Sequence, residues 1–185
     1  MADKIMLIRH AEKPDDPPPN FGVDEAGRQN PDELVVRGWQ RAGALACLFS
    51  PGAAGSRDPA LATPQAIYAS AAVQHSRSLR PQHTVGPLAA QLGITPNIGF
   101  AVGGEADLVD AAKAAPGAVL IAWHHEMIPA VANAIIGNAT TCPQRWPGER
   151  FDMIWVFDRN APRSSWDFSQ VPQLVLAGDT ATLIV

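Results

Sequence analysis

Two stretches of this chain are continuously apolar where most apolar residues recur with gaps. Ile5-Met6-Leu7-Ile8 and Ala118-Val119-Leu120-Ile121-Ala122-Trp123 do not alternate, the pattern of strands covered on both faces. Ala66-Ile67-Tyr68-Ala69-Ser70 predicts a further core strand, and Phe151 to Asp158 another. Between them the spacing turns helical. Leu34 to Phe49 predicts an amphipathic helix, Leu79 to Leu92 a second that stops at Gly93, and Glu105 to Ala115 a third broken by Pro116-Gly117. Pro129 opens a fourth that ends before Gly137. After a polar turn, Gln173 to Val175 and Thr180 to Val185 predict edge strands or a terminal hairpin around Ala177-Gly178-Asp179. Alternating strands and helices imply a three-layer α/β/α sandwich with a mostly parallel central sheet.

The Pro-rich run from Lys13 to Glu33 and the Gly/Pro/Ala run from Ser50 to Pro64 predict long loops. Loops of that length in compact domains are often functional, so the first is a candidate wall of a site.

Both continuous strands end abruptly in polar chemistry. The first delivers Arg9-His10 and the second His124-His125-Glu126. In open α/β sheets, ligands bind at the carboxyl ends of strands. An imidazole there can attack phosphorus while a guanidinium grips the phosphate oxygens. Taken singly, the same residues also suit a surface Arg and a capping His; two strands sending His to one edge is hard to explain by packing alone.

Arg9-His10-Ala11-Glu12 resembles the R-H-G/A-E signature of the histidine phosphatase superfamily, the phosphoglycerate-mutase-like proteins. Leu34-x-x-Arg37-Gly38-x-x-x-Ala42 is similar to the stretch that follows it in that superfamily, and Arg80-Pro81-x-x-Thr84 to the element that brings in a second phosphate-binding Arg. The third motif has two forms. G-H-x-x-x-[IV] selects His124, whereas W-x-H-x-x-I-P, which Trp123 to Pro129 fit without a gap, selects His125; the second form is favoured. The resemblance implies one histidine-phosphatase-like domain over residues 1–185, in which His10 becomes phosphorylated and Arg9 and Arg80 bind phosphate. Either Glu126 or Glu12 would then be the acid that protonates the leaving group, though each also suits a plain salt-bridge partner. The implied activity is phosphomonoester hydrolysis, with a phosphoglycerate-type mutase or a weakly active phospho-ligand-binding protein as alternatives. Ala11, where that family most often has Gly, and the His pair are departures.

Composition narrows the partners. A net charge of −4 argues against nucleic acid, so any basic groups must be concentrated at a small phosphomonoester or phosphate site. No apolar run reaches the roughly 18 residues of a membrane span, and the N-terminus enters a core strand directly, which together predict a cytoplasmic protein without a membrane partner. No cofactor is called for: no P-loop is present, and H-E-x-x-H fails because Pro occupies position 129. Cys47 and Cys142 are too few for a disulfide or zinc framework. Trp146, Trp155 and Trp166 are candidates for either a substrate wall or core packing.

Overall fold

The computed structural model describes residues 1–15, 19–52 and 58–185. Its centre is β1 (Ala2–Arg9), which lies between β3 (Gly117–Trp123) and β4 (Met153–Asn160) in a sheet of order β2-β3-β1-β4-β5, with β2 (Ala66–Ala69) and β5 (Ser165–Pro172) at the edges. The β2-β3 and β3-β1 pairings are parallel and the β1-β4 and β4-β5 pairings antiparallel. Only β4 is therefore reversed, and four of the five strands share one direction.

The continuous apolar runs are explained by two cores. Met6, Ile8, Leu120 and Ala122 face α1 (Val36–Phe49) and α2 (Arg80–Leu92), where they pack with Leu45, Phe49, Val85 and Leu88. Ile5, Leu7, Val119 and Ile121 face the other way, onto Leu108 and Val109 of α3 (Glu105–Ala114) and Val131 and Ile135 of α4 (Ile128–Ile136). Burying a side chain of this size stabilises by about 1.5–3 kcal/mol, so both faces of the central strands must be apolar. Among the described residues no helix is long and apolar enough to cross a membrane.

The C-terminal segment departs from expectation. The stretch read as a polar turn is β5, antiparallel to β4 from Met153↔Pro172 to Asn160↔Ser165. As an edge strand it buries little, and only Trp166, Phe168 and Val171 join the cores. Residues 173–185, predicted as strands, form none; side chains tether them instead. Gln173 Nε2 donates to Met153 O, Arg150 Nη2 to Thr182 O, and Gln170 Nε2 to Ile184 O. The loops predicted over 13–33 and 50–64 carry no helix or strand where they are described; residues 16–18 and 53–57 lie outside the described residues.

Register places the site. Arg9 pairs with Trp123, so β1 and β3 end at one level, and His10 N–H donates to Trp123 O at 3.0 Å. On the other side, α1 approaches the end of β1 closely. A Cβ on Gly38 would lie 2.7 Å from Glu12 O and 3.1 Å from Glu12 N, both backbone atoms. Gly38→Ala is expected to destabilise the fold by about 1–3 kcal/mol as α1 is pushed off β1, read as a lower urea midpoint with an unchanged m-value.

Candidate active site

The end of β1 turns inward. Arg9, His10 and Ala11 are buried, and Ala11 N–H donates to Thr84 Oγ1 at 2.8 Å. The Thr84 hydroxyl in turn donates to Arg80 O at 2.7 Å. One hydroxyl thus ties the first turn of α2 to the residue after His10, which fixes Arg80 beside the imidazole. Arg80 Nη1 also donates to Pro31 O at 3.0 Å, so the long loop after β1 helps to hold it.

His10 is held in a defined tautomer. Its Nδ1 lies 2.8 Å from Ala11 O, a carbonyl that only accepts, so Nδ1 carries the proton and Nε2 keeps its lone pair. Burial, opposed by the Ala11 carbonyl and reinforced by Arg9, Arg80 and His124, pushes the His10 pKa well below its ordinary value. Both effects favour the neutral ring with its Nε2 lone pair free.

Arg9 is gripped along one edge. Its Nη1 donates to Gly148 O and to Arg150 O at 3.0 Å, and Phe151 lies over the guanidinium with its ring centroid 3.7 Å from Cζ. Nε and Nη2, the edge that makes bidentate contacts with oxyanions, are buried without a partner among the described residues. Arg80 Nε and His124 Nε2 are in the same condition. Burial lowers the Arg9 pKa to about 10, with Glu126 opposing and Arg80 adding to the shift; Arg80 is lowered too, chiefly by burial. Unsatisfied buried donors are expensive, and several in one place fit an oxyanion that satisfies them together.

The two neighbouring histidines separate. The His124 ring stands edge-on to His10 with centroids 5.5 Å apart, and its pKa is lowered mainly by burial. His125, favoured by the motif, instead lines a cavity of about 280 Å³ with Glu126, Gln144 and Arg145. Its Nδ1 is 2.9 Å from Glu126 Oε2. Glu126 itself is exposed, yet its charge acts on Arg9, Arg80 and His124.

Glu12 faces another direction. Arg41 Nε donates to both its oxygens at 3.1 and 3.0 Å, and Arg37 Nε to Oε1 at 3.2 Å. Arg41, itself buried, also donates to Asp179 at 2.7 Å and to Gln173 at 2.8 Å. Glu12 is thereby part of an ion-pair network that fastens the C-terminal segment to α1. The remaining cationic groups near α2 lie apart from His10: Arg77 and His75 are exposed, and His83 pairs with Glu33 and stacks on Trp39. Trp155 is core, Trp146 packs on it with centroids 5.1 Å apart, and Trp166 is half-buried, so none is an open wall.

Two groups that touch the site were not singled out in the sequence as site residues. Phe151 stands 6.3 Å from the His10 ring as well as over Arg9. Arg150 supplies one of the carbonyls that hold Arg9, while its side chain is anchored by Asp152 at 2.7 Å. Arg150 closes the loop predicted before the strand and Asp152 reads as part of that strand, which in the structure begins only at Met153.

No family model matches the chain, and no curated protein matches it either. Solved structures do. The mycobacterial glucosyl-3-phosphoglycerate phosphatase, solved with inorganic phosphate, superposes with TM-score 0.55 at 14% identity, over 90% of this chain and 95% of that one. A phosphoserine phosphatase from Entamoeba histolytica gives 0.53 at 14% identity, over 91% and 95%. The protein histidine phosphatase SixA, solved with tungstate, gives 0.51 at 13% identity, over 92% and 97%. Identities this low speak to architecture, and the architecture agrees across nearly the whole length of both partners. The chain shares the three-layer α/β fold of these solved phosphatases.

Proposed function

We propose that the protein hydrolyses phosphomonoesters through a phosphohistidine on His10. The observation that carries this reading is the pairing of a buried imidazole, its Nδ1–H given to Ala11 O, with unpartnered guanidinium donors on Arg9 and Arg80 and the unpartnered Nε2 of His124. In the first step His10 Nε2 attacks phosphorus, an N–P bond forms and the ester P–O bond breaks. The free edge of Arg9, with Arg80 and His124, receives the charge that builds on the equatorial oxygens. Glu126 gives its proton to the departing alcohol oxygen. In the second step the Glu126 carboxylate takes a proton from water as its oxygen bonds to phosphorus, the N–P bond breaks and phosphate leaves. Glu126 is preferred to Glu12 for this role because guanidinium donors already occupy both Glu12 oxygens. His125 Nδ1 lies 2.9 Å from the Glu126 carboxylate without a hydrogen bond to it. The solved neighbours named as phosphatases of phosphoserine, protein phosphohistidine and a phosphoglycerate ester support the reaction class and leave the alcohol open.

A phosphatase assay on a panel of phosphomonoesters tests this, with a second alcohol supplied to reveal any transfer of the mutase kind. Glu126→Gln should lower kcat about 10²-fold on alkyl phosphates, whose alcohols need a proton, and much less on nitrophenyl phosphate, whose phenolate does not. Equal losses on both would remove Glu126 from the proton-donor role.

A pH prediction follows from the buried imidazole. With its folded pKa below the ordinary 6.5, His10 stays neutral as pH falls through that value. The unfolded chain does take up the proton there, so this residue costs the fold stability as pH drops below 6.5. Nitrogen NMR should show the His10 ring still neutral, with the proton on Nδ1, at about pH 6.

A further inference from the structure

An open cavity of about 920 Å³ adjoins the phosphate cradle, a size suited to a whole small-molecule substrate. Gly148 and Phe151 belong to its lining, and they are the same residues that hold and cover Arg9. Phe151 is thus a shared wall between the cradle and the cavity.

The remaining lining has two properties. It presents apolar side chains to solvent: Phe21 is 50% exposed and Val36 61%, among few large apolar residues left open on the described surface. Among the described residues it also offers no net positive charge: Lys13 is outnumbered by Asp15 and Glu149, and the charge of Arg37 is met by Glu12 at 3.2 Å and Asp179 at 3.9 Å. A second phosphate or carboxylate on the substrate would find Lys13 alone to offset those carboxylates, whereas an apolar body would cover Phe21, Val36 and Phe151.

We infer that this cavity holds the body of the leaving alcohol, reached past Gly148, the residue it shares with the smaller cavity that Glu126 lines, and that the preferred substrates are monoesters of bulky aryl or alkyl alcohols in place of small polyanionic sugar or glycerate phosphates. This rests on the phosphatase reading for the position of phosphorus, but concerns the other half of the substrate. It assigns Phe21 and Val36 as specificity-determining residues outside the cradle.

The test is calorimetric binding of non-hydrolysable phosphonates to the full chain. Naphthylmethylphosphonate should bind at least about tenfold more tightly than methylphosphonate, the gain expected from covering an aromatic body. Val36→Asp, at an exposed position where the fold tolerates charge, and Phe21→Ala should each remove most of that preference while inorganic phosphate binds as before. Equal affinity of the two phosphonates, or variants that weaken phosphate and naphthyl probe alike, would overturn the inference. Phosphate binding with no aryl preference sinks the inference and leaves the phosphatase reading standing. Aryl preference without turnover of any ester keeps the cavity as an aryl-binding site but defeats the phosphatase reading and with it the leaving-alcohol assignment, and no binding of phosphate or either phosphonate defeats both.

Discussion

His10→Ala is expected to lower kcat/KM on an activated phosphomonoester by at least about 10³-fold, the scale on which loss of a covalent nucleophile is felt. The size follows from the route. Without Nε2 no N–P bond forms, and water would have to attack directly at a place the fold fills with an imidazole 2% exposed. The arginines and His124 remain, so phosphate binding should survive the change; a loss of phosphate affinity equal to the loss of rate would mean that the ring serves only to shape the pocket. Some structural cost is expected, since Ala11 O loses the Nδ1–H of His10, although the backbone bond from residue 10 to Trp123 O remains.

Arg9→Ala should cost about 10²–10³ in kcat, the usual consequence of removing a donor aimed at developing charge, and should also weaken phosphate binding. Arg9 has a second task that alanine abandons. Its Nη1 satisfies carbonyls of Gly148 and Arg150, and its guanidinium supports Phe151. Arg150 O keeps the Trp146 indole N–H at 2.9 Å, but leaving Gly148 O unpaired costs roughly 1–3 kcal/mol and Phe151 loses its support, so the variant should melt at lower temperature than the parent protein. Arg9→Lys separates the two tasks. A single ammonium cannot hold the loop carbonyls and present a bidentate edge together, so its rate should stay close to that of Arg9→Ala even where stability is partly restored. Recovery of most of the rate by lysine would show that only charge is needed there.

Much of the fold was legible because the central strands are buried on both faces, and that circumstance writes itself as unbroken apolar sequence. The edge strand Ser165–Pro172 wrote a weaker one: Trp166 and Phe168 alternate with Asp167 and Ser169, the period of a half-exposed strand, which pairs as a hairpin with β4 just before it. The last segment wrote none. Arg41 and Asp179 are far apart along the chain and neither has a sequence neighbour that hints at the other, yet their pairing sets the path of residues 173–185.

The arrangement at the site divides along similar lines. Arg9, His10 and Arg80 were marked by strand ends and a helix start, positions where backbone geometry alone puts side chains near one another. The choice between His124 and His125 was not, and the reason is geometrical. Strand alternation stops at Trp123, and residues 124–127 enter a turn in which both Met127 N–H and Ile128 N–H donate to His124 O. Alternating faces therefore give no rule beyond that point, and the motif that favoured His125 describes spacing, not direction. Exchanging each histidine for glutamine should show His124 as the larger contributor to rate.

The central claim is that phosphorus is transferred to the His10 ring, and trapping that species tests it most directly. The protein would be mixed with a phosphomonoester, quenched in base during turnover, digested and sequenced by mass spectrometry. The account predicts a phosphoryl group on the peptide that contains His10, stable in base, lost in acid, and absent when Nε2 is removed by substitution. Steady turnover with phosphorus on another residue, or on none, would contradict it.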